Sequence, residues 1–269
     1  MPTPAPSNEA LVAQDLAFSY RRAPVLVGVR WSMAKGSFAC VLGLSGAGKS
    51  TLLKLLAGVE TPTGGSARVL GGDPRRADTR RSIGYMPQSG GLYADLSVEE
   101  NLHAFGKAAG LHGGGRDEAV ERALEFLGLR QRRGDLVGEL PAGLQQRVSL
   151  GVALLPQPSI LLLDEPLNAS DPLFRAKALA HLKALAAEGR TILVATSHAA
   201  LAAQCQTVGI LRAGRLISEV TPNELVPPGR GRVRLTYRER TGTRQLEQPV
   251  ADYRRELPAL LMEGVAKPV

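Results

Sequence analysis

The stretch Gly43-Leu44-Ser45-Gly46-Ala47-Gly48-Lys49-Ser50 decides how this chain is read. It fits G-x-x-x-x-G-K-[ST], in which the glycines let the backbone curl until several N–H groups point at one phosphate. The flanks are those such a loop requires. The apolar run Phe38-Ala39-Cys40-Val41-Leu42 reads as a buried strand ending at Gly43. Ser50 to Ala57, closed by Gly58, has apolar residues at helical spacing. A helix opening there aims the positive end of its dipole at the same anion. Lys49 is expected to reach the β- and γ-phosphates of a nucleotide and Ser50 to coordinate Mg²⁺. Gly43, Ser45, Gly46, Ala47, Gly48 and Thr51 are expected to line the phosphate cradle.

A second stretch, Ile160-Leu161-Leu162-Leu163-Asp164-Glu165, reads as the partner of that loop. A buried strand carries Asp164 to its C-terminal edge, where α/β sheets bind ligands. Asp164 is expected to hold the metal and Glu165 to polarise the attacking water. Alone, an acid after a core strand suits a helix N-cap equally well; beside the phosphate loop, the catalytic reading is the stronger one. The two stretches together predict a P-loop nucleoside triphosphatase and nothing narrower.

The rest of the chain alternates strands and helices, which predicts an α/β fold with a largely parallel sheet. Residues 11–42 read as β structure, and residues 60–85 as turns with short strands. From Ser97 to Leu155 the pattern is helical, with Gly113-Gly114-Gly115 expected to interrupt it. Helix from Pro172 to Glu188, strand from Thr191 to Ala195 and two short strands, Val208–Arg212 and Arg215–Glu219, follow. Pro227-Pro228-Gly229 marks a linker. Beyond it Val233, Leu235 and Tyr237 alternate, Thr241-Gly242 offers a turn, and Leu257 to Met262 suits a short helix. The expected organisation is a flexible start over residues 1–10, a main domain over 11–225 and a small appendage over 226–269.

Four further stretches resemble the ATP-binding cassette family over roughly residues 11–225. Tyr20, in Leu16-Ala17-Phe18-Ser19-Tyr20, stands where the family stacks an aromatic ring on adenine. Gln88, in Gly84-Tyr85-Met86-Pro87-Gln88, resembles the glutamine that contacts Mg²⁺ or the lytic water, and the family-like Leu96-Ser97-Val98-Glu99-Glu100-Asn101-Leu102 follows it. His198, after the strand ending Thr196-Ser197, resembles the histidine that contacts the γ-phosphate. Leu140-Pro141-Ala142-Gly143-Leu144-Gln145-Gln146-Arg147 occupies the place of the family's signature, commonly L-S-G-G-x-Q-x-R. Here Pro141 replaces the serine and Ala142 the first glycine. Proline lacks the hydroxyl donor but starts a helix well, and the Ala142 and Gly143 N–H groups keep the helix dipole behind them. The L-P-x-G form is similar to that of some exporter-type cassettes. Leu167-Asn168-Ala169-Ser170-Asp171-Pro172 resembles the D-loop, with Leu167 and Ser170 unusual and Asp171 at the position that touches the partner subunit. Ala199 stands where an acid often follows the histidine.

The resemblance implies a RecA-like core with an antiparallel β portion and an inserted helical subdomain around residues 90–155. It further implies pairing with a second cassette, so that each ATP lies between one phosphate loop and the partner's residues 141–143. It implies a separate integral membrane permease, with export favoured by the L-P-x-G form and the small appendage. The place of action would be the cytoplasmic side of the cell membrane, peripherally bound. The competing reading is a soluble cassette, for example in cluster assembly. Translation-type members carry two cassettes and repair-type members long coiled coils, and neither pattern is seen in this sequence.

Composition is consistent with this. The 269 residues are 44% hydrophobic, enough for a sizeable core, and carry a formal net charge of +8. That balance suits work beside phosphates or an anionic membrane face. The arginines are scattered with few aromatics among them, so no nucleic-acid partner is expected. No apolar run reaches the roughly 20 residues needed to span a bilayer, and the start lacks the basic-then-apolar pattern of a secretory signal. Cys40 and Cys205 are read as reduced core thiols.

Overall fold

The computed structural model describes residues 8–21, 23–225, 231–239 and 242–250. The chain divides into two units, Met1–Glu219 and Val220–Val269.

The first unit opens with β1 (Glu9–Tyr20) and β2 (Ala23–Ala34), an antiparallel pair. Then come β3 (Phe38–Leu42), α1 (Lys49–Leu56) and β4 (Gly64–Val69), the last pairing antiparallel with β1 to make a three-stranded sheet in the order β2-β1-β4. A short helix α2 (Ala77–Arg80) leads to β5 (Ile83–Met86). Three helices come next, α3 (Val98–Ala108), α4 (Gly113–Leu127) and α5 (Ala142–Leu154). The chain returns through β6 (Ile160–Asp164), α6 (Pro172–Ala187), β7 (Thr191–Thr196), α7 (Ala199–Ala202), β8 (Thr207–Arg212) and β9 (Arg215–Val220). The larger sheet runs β5-β6-β7-β3-β8-β9, with β5, β6, β7, β3 and β8 parallel.

Sequence chemistry explains this order. Every residue of β6 and β7 is buried, as a central parallel strand covered on both faces requires. Leu52, Leu53, Leu55 and Leu56 of α1 are all buried in the same cluster as Leu16 of β1, Leu26 of β2, and Leu162 and Leu193 of the large sheet. One amphipathic helix thereby joins the two sheets around one core. Because β3, β6 and β7 are parallel and in register, with Leu42 opposite Thr196 and Asp164 opposite Ala195, their C-terminal ends share one edge.

The helical stretch differs from its expected form at the glycines. Gly113, Gly114 and Gly115 open α4 and do not interrupt a helix; the break falls before them, at residues 109–112. The α3 start follows a capping box: the Ser97 hydroxyl accepts the Glu100 N–H (3.2 Å) and the Glu100 carboxylate accepts the Ser97 N–H (2.8 Å). Buried Asn101 accepts the Tyr93 N–H (2.9 Å) and donates to the Tyr93, Leu96 and Ser97 carbonyls, which ties the entering loop to α3.

The second unit holds α8 (Pro222–Leu225) and an antiparallel ribbon of β10 (Gly231–Glu239) and β11 (Gly242–Val250). Val233, Leu235 and Tyr237 fall within β10. Residues 1–7, which include most of the expected flexible start, lie outside the described residues, as do the 227–229 linker, Thr241 and the 257–262 helix.

Candidate functional site

The phosphate loop crosses from the end of β3 to the start of α1. Two of its glycines are sterically required. A Cβ on Gly43 would lie 2.5 Å from the Leu211 carbonyl oxygen, and one on Gly48 would lie 2.7 Å from the Leu26 side chain. Gly48 also holds φ 105°, a conformation open to glycine and strained for other residues. Lys49 is buried and folds back over the loop, donating to the Gly43 carbonyl (2.9 Å) and the Leu44 carbonyl (3.2 Å). Its Nζ is also 3.5 Å from Glu165 Oε1. Thr51 is buried and Ser50 half-buried.

Asp164 ends β6 and is 1% exposed. Burial raises its pKa and the Glu165 charge adds to the rise, while the nearby Ser50 hydroxyl, Lys49 and Lys54 oppose it. Among the described residues its Oδ1 is buried without a hydrogen-bond partner. A buried, unpartnered carboxylate oxygen beside a hydroxyl is an oxygen donor set of the kind a hard divalent cation takes, so these residues fit a magnesium site.

Glu165 is held from several sides. Its N–H donates to the Ala195 carbonyl at 2.9 Å. One carboxylate oxygen accepts from Asn168 Nδ2 (2.9 Å) and Thr196 Oγ1 (3.1 Å), and the other faces Lys49. Its carbonyl accepts from Gln146 Nε2 at 2.8 Å. The backbone sits at φ 48°. Nearby, Cys40 is fully buried; its hydrogen bond with Cys205 and its burial hold the thiol well above the usual range.

The remaining predicted residues fall into two groups. His198 caps the N-terminus of α7, two residues past Thr196, its N–H donating to Thr196 Oγ1 (3.1 Å). Its exposed ring shares a cavity of about 240 Å³ with Asn168 and Arg175. It thus belongs to the same sheet edge as Glu165. Tyr20 is 44% exposed at the end of β1, edge-to-face against Phe18 with centroids 4.7 Å apart.

Gln88, exposed after β5, lines a cleft of about 370 Å³ with Ala142, Gln146 and Ala169, to which the phosphate loop contributes no side chain. Pro141 is the N-cap of α5 and not its first helical residue; its carbonyl accepts the Leu144 N–H (2.8 Å) and Gln145 N–H (3.1 Å). Gly143 packs so closely that a Cβ would lie 2.4 Å from the Ala169 carbonyl oxygen. The Asp171 carboxylate caps α6, accepting the Phe174 N–H (3.0 Å), and pairs with Arg147. The Arg147 guanidinium also lies 4.2 Å above the Phe174 ring. Gln146, Asn168 and Thr196, which contact Glu165, were not singled out by sequence reasoning, although each lies inside a quoted stretch.

Comparison with known proteins shows the family to which this fold belongs. The family model described as ABC transporter matches residues 26–168. The chain belongs to the ABC transporter family. It is 35% identical to the probable multidrug ABC transporter ATP-binding protein YbhF of Escherichia coli (strain K12), over 82% of this chain and 38% of that protein. It is 35% identical to Nod factor export ATP-binding protein I of Paraburkholderia xenovorans (strain LB400), over 77% of this chain and 69% of that protein. This chain therefore spans well under half of the first relative and about two thirds of the second. Among solved structures, the dimeric post-hydrolysis state of the ATP-binding cassette MJ0796 with ADP and Pi matches with TM-score 0.73 and 25% identity. The match covers 79% of this chain and 98% of that one. The fold is thus the α/β cassette of an ABC ATPase domain. No described helix is long and apolar enough to cross a membrane.

Proposed function

We propose that this chain hydrolyses ATP to power a separate membrane permease, in the direction of export. The observation that carries the catalytic part is Glu165. It is a buried carboxylate fixed by Lys49, Asn168 and Thr196 at the edge where the phosphate loop opens. The export part rests on the relatives, two of which are named for multidrug and Nod factor transport.

In this reading residues 11–225 are the cassette and 226–269 an appendage. Tyr20 stacks on adenine, and the N–H groups of residues 43–51 cradle the phosphates. Lys49 leaves the Gly43 and Leu44 carbonyls for the β- and γ-phosphates, so the loop is already shaped when nucleotide arrives. Ser50 and Asp164 would hold Mg²⁺, which would supply positive charge to the phosphoryl oxygens, and Gln88 would join them on leaving its cleft beside α5. Glu165 orients the attacking water and accepts its proton, and His198 secures the γ-phosphate. Phosphoryl transfer needs positioning and electrostatics above all, and these residues provide both. A second cassette completes the site by presenting its residues 141–143 and Asp171. The cleft between Gln88 and α5 receives the permease, so the cassette works at the inner face of the membrane.

The test is an affinity pull-down of tagged Glu165→Gln protein with Mg-ATP from detergent-solubilised host membranes. A stoichiometric multi-spanning partner is expected. A reproducible soluble partner with no membrane protein would overturn the transport reading and leave the ATPase reading standing.

A further inference from the structure

Glu165 occupies a conformation that its own sequence resists. Its φ of 48° lies in the left-handed region, uncommon for a residue with a Cβ. Pro166 comes next, and a residue before proline is biased toward extended backbone. Something outside the segment must hold the backbone there. The N–H is held by Ala195 of β7, and the carbonyl by the Gln146 side chain of α5.

We infer that Gln146 is a positioning residue for Glu165: it holds the backbone of the general base in the left-handed conformation and ties that conformation to α5. The inference rests on the reading that Glu165 orients the water. Gln146 is suited to the task because its amide is used at both ends. Nε2 donates to the Glu165 carbonyl at 2.8 Å, and Oε1 accepts the Ala169 N–H at 3.0 Å. No carboxylate, hydroxyl or cation offers one donor and one acceptor on such a reach. The neighbours in α5 support the same segment. Gly143, one turn earlier, lets the helix close on the Ala169 carbonyl, and Arg147, the next residue, pairs with Asp171. Three residues of one helix thus grip 165–171 at its start, middle and end.

This makes the helix that carries the variant signature the support of the general base in its own chain. A shift of α5 moves the Glu165 carbonyl and, through the strained backbone, the carboxylate that Asn168, Thr196 and Lys49 hold. Both side-chain hydrogen bonds of Gln146 go to residues 165 and 169, and neither to the phosphate loop. Losing them should slow the chemical step and spare ATP binding.

The test uses the full chain, measuring steady-state Mg-ATP hydrolysis and ATP affinity for Gln146→Met, Glu165→Gln and the double variant. Gln146→Met should lower kcat by about 10–100-fold, the loss expected from misplacing a reacting group by about 1 Å. Its ATP Kd should stay within about twofold of the parent, since the phosphate-loop contacts remain. In the Glu165→Gln background the same change should cost nothing further, because its effect runs through Glu165.

Gln146→Glu supplies a readout that a merely structural cross-link would not move. Its ionised carboxylate keeps the bond from Ala169 but sets an acceptor against the Glu165 carbonyl; protonation restores the donor. The ratio of its kcat to that of the parent should therefore rise as pH falls into the range where the introduced carboxyl takes up its proton. This readout decides the matter even where Gln146→Met fails to fold. Native kcat in Gln146→Met beside an inactive Glu165→Gln overturns the inference alone. So does an additive loss in the double variant, or a flat pH ratio. A fully active Glu165→Gln removes the underlying reading of the general base instead.

Discussion

Asp164 answers two opposed demands at the level of a single residue. Burial makes its charge expensive and pushes its pKa above the ordinary value of 3.8, yet a cation site needs the charged form. The sign of the stability effect is set by this shift. The folded chain binds this proton more tightly than the unfolded chain, so Asp164 costs stability as pH rises above 3.8. Asp164→Asn removes that cost. Without nucleotide or metal, the variant should melt at a higher temperature than the parent at neutral pH. The gain should vanish below about pH 4, and Mg-dependent hydrolysis should be lost. Thermal melts across pH check this, and an equal or lower melting temperature at neutral pH counts against it. Lys49, Ser50, Asp164 and Glu165 could be read together from sequence because each lies in a contiguous stretch whose flanking strand and helix fix its place. The supports of Glu165 could not. Gln146 and Thr196 come from 19 and 31 residues away, and an amide or hydroxyl carries no signal until the fold sets it against a partner.

Elements differed in legibility for a comparable reason. Ile160–Leu163 and Thr191–Ala195 were readable as central strands because a strand buried on both faces has little choice of residue type. The start of α4 was not, because glycine is a poor helix former and Gly113-Gly114-Gly115 reads as a break. The helix forms there because buried Ala119, Val120, Leu124 and Leu127 recur at helical spacing and carry the first turn with them. These glycines should therefore be improvable in a position-specific way. Nothing lies within 4 Å of a Cβ on Gly114 or Gly115, and neither has positive φ. Gly114→Ala and Gly115→Ala should each stabilise the protein by about 0.4–1 kcal/mol. Gly113 has equal space but φ 52°, so Gly113→Ala should bring no gain and a small loss. Urea unfolding of the three variants measures the contrast, and equal effects at all three positions would mean that α4 does not begin at Gly113.

For the whole molecule the question is what the α5 terminus offers to a second copy. Pro141 caps this helix without any side-chain hydrogen bond, and no acidic residue occupies the first turn. The helix dipole and the first N–H groups are thus left for an anion, which is what a partner's γ-phosphate would supply. What proline cannot add is a hydroxyl donor. Pro141→Ser should restore it and raise the rate of ATP hydrolysis by about tenfold, since one added hydrogen bond to a charged group is worth roughly 1.5 kcal/mol. Serine is also a better N-cap than proline, so the variant should gain about 0.5–1 kcal/mol of stability even without ATP. The two effects separate cleanly. The cap acts within one chain and shows in melting of the nucleotide-free protein, whereas the phosphate contact needs two chains and ATP. A rate that rises with protein concentration and exceeds the parent's at saturating ATP would place the missing hydroxyl in the shared site. Higher stability with an unchanged rate would mean that the backbone N–H groups of α5 already satisfy the phosphate, and that the proline form of the signature costs this cassette nothing in turnover.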